Sequence, residues 1–522
     1  MYISKIKLHN FRRFKDIEIR FNRGRNIFVG DNESGKSSVL QAIDLCARGS
    51  RHRIEDIGVE TIMNVSAVRE FMAEDKRIEN LPKLYIELYL ADIVDEGLEG
   101  NENSDNDYTN GVRLLIEPDE TLSRQTQQFL QAEGASFPFE FYTISFNTFS
   151  GESYNGYTKK LKTLILDNST IGNEYALNEY IANIYGSALT QVEQLATKYK
   201  YGNSKSGFKE AVLSSFNAKL PDNFSFSVKN TGKSCLENDL TIEMDGVSIS
   251  EKGTGVQCIV KTQLALSRAL DIPVILLEEP ENHLSHLNMR RMIEDIENSQ
   301  QAQLFISTHS DLISTRLDLR NCILMNSAEP ARSVSLGFID EGTAKFFMKA
   351  PDNNMLQFVL AKKVILVEGD AEFIMMDTFC KRVLNHTLAE QGIDVIAVDG
   401  KCFKRYLEIA RQIGVKVAIV TDNDKNYAEN ITASYDGYMN NEYANIKVFA
   451  DTNNVKYTFE VAIYQDNEAD CNELFGSARR TLTVIEYMLA NKAETAYKLV
   501  TQKSETITVP QYIRAALIWV NA

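Results

Sequence analysis

Gly30-Asp31-Asn32-Glu33-Ser34-Gly35-Lys36-Ser37 is a complete GxxxxGKS, and it constrains the fold of this chain more than any other stretch. The apolar run Asn26-Ile27-Phe28-Val29 before it reads as a short buried strand, and a helix is predicted from about Ser37 to Cys46. Strand, glycine turn and helix in that order make a phosphate cradle. The glycines let backbone N–H groups close around phosphate oxygens, and the helix N-terminus adds positive potential. Lys36 would reach the β and γ phosphates and Ser37 would ligate Mg²⁺, with Gly30, Asn32, Gly35 and Ser38 as further nucleotide contacts. ATP is the expected ligand.

A second apolar strand, Val274-Ile275-Leu276-Leu277, delivers Glu278 and Glu279 to its C-terminal end. Glu278 would hold the Mg²⁺ of the nucleotide, and Glu279 would orient or deprotonate the attacking water. A third, Gln303-Leu304-Phe305-Ile306-Ser307, leads to Thr308-His309, placing His309 where ligands of α/β sheets bind. Ser250, Gly253 and Gly255 lie in a glycine turn that opens a helical pattern running through Leu270, a second device for holding an anion. Unbroken apolar strands of this kind belong to a buried parallel sheet, so the fold class is α/β.

At 522 residues the chain is too long for one ordinary domain. No apolar run approaches the roughly 20 residues a membrane helix needs, and the N-terminus has no signal core, so a cytoplasmic protein is expected. Seven cysteines, scattered and without a CxxC pair, argue against a disulfide framework or a zinc site. The formal net charge of −16 opposes non-specific nucleic-acid binding. DNA contact would need local basic clusters: Arg48, Arg51 and Arg53; Lys401, Lys404 and Arg405; or Arg479 and Arg480. Leu161, Leu164, Ile165, Leu177, Tyr180, Ile181 and Ile184 follow helical spacing, which predicts a helical insertion over 158–218. Residues 341–357 read as a linker.

A second α/β series follows it. The strand Lys363-Val364-Ile365-Leu366-Val367 ends in Glu368-Gly369-Asp370-Ala371-Glu372, and the strand 415–420 ends in Thr421-Asp422-Asn423-Asp424. In a parallel sheet both ends lie on one edge, so two clusters of acids converge. Clustered carboxylate oxygens suit hard divalent cations, and such ions can act on a phosphodiester.

The first series resembles the ABC-type ATPase head of SMC, RecF-like and OLD (overcoming lysogenisation defect) proteins. Asn10-Phe11-Arg12 resembles a motif of those heads, Ser250 to Gln257 their signature segment, His283-Leu284-Ser285-His286 their D-loop and His309 their switch histidine. The usual LSGGQ is absent as such, and Glu278 stands where these heads usually have Asp. The resemblance implies two heads sandwiching ATP, hence a homodimer that also uses the helical insertion; a tetramer is in keeping with the family. The second series resembles the Rossmann-like TOPRIM domain of topoisomerases, primases and OLD nucleases. That resemblance implies Mg²⁺ or Mn²⁺ at Glu368, Asp422 and Asp424, with Glu372 and Glu460 as further ligands. Gly400 matches a turn glycine, and Lys492, or else Lys498, a lysine that stabilises the transition state. The implied layout is an ATPase head in 1–157 and 219–345, the insertion in 158–218 and TOPRIM in 356–522.

The function this implies is an ATP-gated, divalent-metal-dependent DNA endonuclease or nickase of anti-phage defence, in some relatives working with a helicase or with a retron reverse transcriptase and its DNA. Two alternatives stand beside it: an ATP-dependent DNA clamp or repair scaffold, in which the C-terminal acids are idle, and a ribonuclease acting on tRNA.

Overall fold

The computed structural model describes residues 1–522 except 75, 133–135, 157, 169–173, 220–224, 229–235, 237–238, 268–271, 300–301, 328–329, 351–353, 399–401, 440–442 and 477–481. Cys235, Leu270, Gly400, Lys401, Arg479 and Arg480 lie outside the described residues. The chain forms two compact units: Met1–Ser310 with Asn321–Ser335, and Asp311–Arg320 with Leu336–Ala522. Among the described residues no helix is long and apolar enough to cross a membrane.

The strands of the first unit are β1 (Tyr2–Phe11), β2 (Phe14–Arg20), β3 (Arg25–Gly30), β4 (Leu84–Ala91), β5 (Glu99–Gly100), β6 (Thr109–Pro118), β7 (Tyr142–Thr148), β8 (Thr163–Asp167), β9 (Glu243–Met244), β10 (Val247–Ser248), β11 (Val274–Glu278), β12 (Gln303–Ser307), β13 (Cys322–Met325) and β14 (Ser333–Ser335). One sheet is antiparallel, in the order β2-β1-β4-β6-β5, with β7 also on β6. Alternation along β7 explains the packing: Tyr142, Ile144 and Phe146 are buried while Thr143, Ser145 and Asn147 are not. The other sheet runs β14-β13-β3-β12-β11-β8, parallel except at β14. Its central strands are apolar throughout because both faces are covered: Ile27, Phe28, Leu276 and Phe305 are fully buried. Helix α1 (Lys36–Arg48) packs on both sheets and buries Val39, Leu40, Ile43 and Leu45.

Residues 163–167 correct the helical reading of Leu161, Leu164 and Ile165. They form β8, paired in parallel with β11 from Thr163–Val274 to Asp167–Glu278. Further along the insertion, Glu174–Ala188 and Gln191–Phe208 are helices.

The second unit has four parallel strands, β15 (Lys363–Val367), β16 (Ile393–Ala397), β17 (Lys416–Val420) and β18 (Ile446–Phe449), in the order β16-β15-β17-β18. Helices Asp370–Leu384, Lys492–Lys503 and Gln511–Asn521 pack together on this sheet around Met375, Phe379, Leu499 and Leu517. Residues 341–349 are a helix rather than a linker. Asp340 caps it, its carboxylate accepting from the N–H groups of Gly342 at 2.7 Å and Thr343 at 3.1 Å.

Candidate functional sites

Adjacency of β3, β12 and β11 builds the first site. The register pairs Glu278 with Ser307 and Ser307 with Phe28, so the three segments that follow these strands open on one edge of the sheet. Arg12, Arg13, Asn32, Glu33, Ser34, Gly35, Lys36, Ser37, Ser38, Glu278, Glu279 and His309 line a cavity of about 490 Å³ there.

The two loop glycines have steric reasons. A Cβ on Gly30 would meet the Met325 carbonyl oxygen at 2.3 Å, and one on Gly35, whose φ is +96°, would meet the Phe14 ring at 2.3 Å. Lys36 is 5% exposed and donates to the carbonyls of Gly30 at 2.9 Å and Asp31 at 3.1 Å. Burial pulls its pKa down, opposed by Glu279 and Asp31. Burial holds Glu278 above the ordinary carboxylate value, opposed by the Ser37 hydroxyl, the residue that would share a nucleotide-bound cation with it. Burial first, then Glu281, pushes Glu279 up to about 8. A carboxylate held near neutrality can take a proton from water. The ring of His309 lies 3.5 Å from Glu279 and titrates low, through burial and then the Lys36 charge.

Sequence reasoning missed Glu281. One of its oxygens accepts from the Thr308 hydroxyl at 2.6 Å and the His309 N–H at 2.8 Å, clamping the segment after β12 to the segment after β11. Arg12 of the Asn10-Phe11-Arg12 motif, given no role from the sequence, lines the cavity and feels the charge of Glu278. Ser250, Gly253 and Gly255 do not line the nucleotide cavity of their own chain. Gly255 packs on the D-loop-like segment, where a Cβ would meet the His283 carbonyl at 2.7 Å.

The second site sits where β15 and β17 end side by side, paired from Lys363–Lys416 to Leu366–Ile419. Glu368 accepts hydrogen bonds from the Asp422 N–H at 2.8 Å and from the Thr421 hydroxyl. Glu372 is 7% exposed on the first turn of its helix, and Glu460 is 2% exposed at the start of the helix Phe459–Asp466. Burial first, then Glu460 and Glu368, raises Glu372 to about 7. Burial, then Glu368, Glu372 and Glu460, raises Asp422 to about 8. The charges of these four acids are thus coupled through their shared surroundings.

The Lys492 ammonium lies 3.1 Å from Glu460; burial lowers its pKa, but Glu460, Asp422 and Glu372 more than offset that. Lys498 instead pairs with Glu494 on its own helix at 3.1 Å. Asp424 is not brought into the group: it is exposed, with φ +47°, and its N–H bonds the Tyr457 carbonyl. Tyr512 was also missed. It is buried against the cluster, and burial, then Asp422 and Glu372, drives its pKa well above the ordinary tyrosine value.

Among the described residues no three His, Cys, Asp or Glu side chains are drawn into a ligating shell. The donor set nonetheless fits a hard divalent cation. It is all oxygen, and while Oε1 of buried Glu460 faces Lys492, its Oε2 has no hydrogen-bond partner.

Residues 359–424 match the family model for the TOPRIM domain of overcoming lysogenization defect protein-like proteins. Residues 1–180 match an AAA ATPase domain, and residues 245–315 an AAA domain described as a putative AbiEii toxin of a type IV toxin–antitoxin system. The chain is thus an ATPase domain followed by a TOPRIM domain. Residues 359–424 are thus similar to the TOPRIM domain of OLD-like proteins.

Over 53 residues the chain is 47% identical to the DNA replication and repair protein RecF of Acetivibrio thermocellus, a match covering 10% of this chain and 14% of that protein. The SMC head domain from Thermotoga maritima is similar at 17% identity with a TM-score of 0.30, over 64% of this chain and 99% of that one. The C-terminal region of the Xanthomonas campestris pv. campestris OLD protein is similar at 23% identity with a TM-score of 0.24, over 31% of this chain and 94% of that one.

Proposed function

We propose that this protein is an ATP-gated nuclease that uses Mg²⁺ or Mn²⁺ to cut or nick DNA, and that it serves antiviral defence; the defence role rests on the family resemblance alone. The observation that carries the nuclease is the convergence of Glu368, Glu372, Asp422 and Glu460, with Lys492 beside Glu460, in a chain that also holds a nucleotide pocket. A divalent cation bound there would polarise a phosphodiester and lower the pKa of a coordinated water. The residues themselves do the holding: Glu460 and Asp422 present oxygens, and Lys492 keeps a cation beside the charge that develops at phosphorus. In the first unit Lys36 would hold the nucleotide phosphates and Glu279 would take the proton of the attacking water.

A homodimer is proposed through the ATPase heads and the insertion, where Val192, Leu195 and Tyr199 are each more than 60% exposed. The test is cleavage of supercoiled plasmid by wild type and Glu368→Ala, with and without divalent metal and ATP. Metal-dependent nicking by wild type alone supports the proposal. Equal nicking by both proteins, or none under any condition, rejects it.

A further inference from the structure

A cavity of about 920 Å³ opens where α1 ends, and it shares no lining residue with the nucleotide pocket. A helix of 13 residues spans about 20 Å, so the two openings lie at opposite ends of one rigid element. Arg48 and Lys159 line the cavity with Arg51, His52 and Arg53 of α2 (Arg51–Ile57), against one lining carboxylate, Asp56. In a chain of formal charge −16 this is a marked local reversal.

The neighbouring acids are already engaged. Arg51 Nε lies 2.8 Å from Glu55, and His52 Nδ1 lies 2.8 Å from Asp56. Buried Asp44 faces Arg48 at 2.7 Å and Arg53 at 3.7 Å, and also accepts from the Thr163 hydroxyl at 3.0 Å. Among the described residues, Lys159 has no carboxylate within ion-pair distance. Desolvation first, then Arg48 and Lys162, lowers its pKa, with Asp44 opposing. Cations crowded around a shared carboxylate favour a bound anion. Ser145, Ser153 and Asn155 add neutral polar groups, and Ile144 and Phe146 an apolar wall. Guanidinium forks match phosphate oxygens in pairs.

We propose that this cleft seats the phosphodiester backbone of a nucleic-acid strand, a docking site on the ATPase unit separate from the acid cluster. The proposal rests on reading the protein as one that acts on nucleic acid. A free nucleotide shares the phosphate chemistry, and the test separates the two.

The test is fluorescence anisotropy of a short labelled DNA strand in EDTA, where no metal-dependent cutting occurs. The full-length protein is compared with Arg51→Glu/Lys159→Glu, which alters two exposed side chains. The expected result is affinity about tenfold weaker in the double variant, with a shallower salt dependence. Should the charge-reversed protein melt below wild type, Arg51→Gln/Lys159→Gln decides, with weakening in the same direction expected. Undetectable binding by wild type, or equal binding by wild type and the deciding variant, overturns the proposal. Displacement of the strand by AMP at matched phosphate concentration overturns it in favour of a nucleotide site. A protein that binds through the cleft but never cuts sinks the nuclease reading and leaves this one standing.

Discussion

The nucleotide pocket and the acid cluster stand at the same place in two parallel sheets, the edge where adjacent strands end, yet the chain finishes them differently. The pocket is pre-assembled. Backbone carbonyls fix Lys36, and Glu281 ties the His309 segment in place. The cluster holds acids at close quarters with a single lysine against Glu460 and no ligating shell among the described residues. The difference teaches that a phosphate pocket whose charged side chains are tied to the backbone can be assembled in advance, whereas a site of like charges stays open until a cation compensates it.

The largest effects would come from breaking one site and asking whether the other survives. Lys36→Ala should reduce ATP hydrolysis by about 10³-fold while leaving metal binding in the second unit unchanged, measured by steady-state ATPase assay and Mn²⁺ titration. Joint loss of both would contradict the separation. Lys492→Ala should cut nucleolytic turnover by about 10²-fold with ATPase activity kept, and Lys498→Ala should leave both rates close to wild type.

Smaller effects would sharpen the picture. Glu281→Ala frees Thr308 and His309, and an ATPase kcat about tenfold lower is expected with KM little changed. It also removes the second cause of the high Glu279 pKa, so the ascending limb of the ATPase pH profile should move to lower pH. A separate effect is on stability. Asp422 is raised to about 8 in the folded protein, so the fold binds its proton more tightly than the unfolded chain does. Metal-free stability should therefore fall as pH rises from about 4 to about 8. In Asp422→Asn the fall should be smaller, read as melting temperatures at pH 6 and pH 8.5.

Motifs whose partners are close in sequence were legible before any coordinates. The glycine loop, Glu278-Glu279 and the acids after β15 and β17 each declare a strand end by themselves. Features that depend on distant partners were not. Glu281 acquires its role only when β11 and β12 lie side by side, which puts Thr308 and His309 within its reach. Tyr512 comes from the last helix to face acids far behind it in the chain. The error at 161–165 has another source: a five-residue apolar strand fits helical spacing as well as it fits a sheet, and only the pairing with β11 decides. The composition of 341–357 reads as linker, although Asp340 supplies an ordinary cap for the helix Glu341–Lys349.

The most direct test of the central claim, that the acid cluster is a metal site, is calorimetric titration of Mn²⁺ into nucleotide-free protein, wild type beside Asp422→Asn. The account predicts saturable binding by wild type with proton release near pH 7, since Glu372 and Asp422 hold protons there, and loss of most of that binding in the variant. Equal binding by both proteins, without proton release, would contradict it.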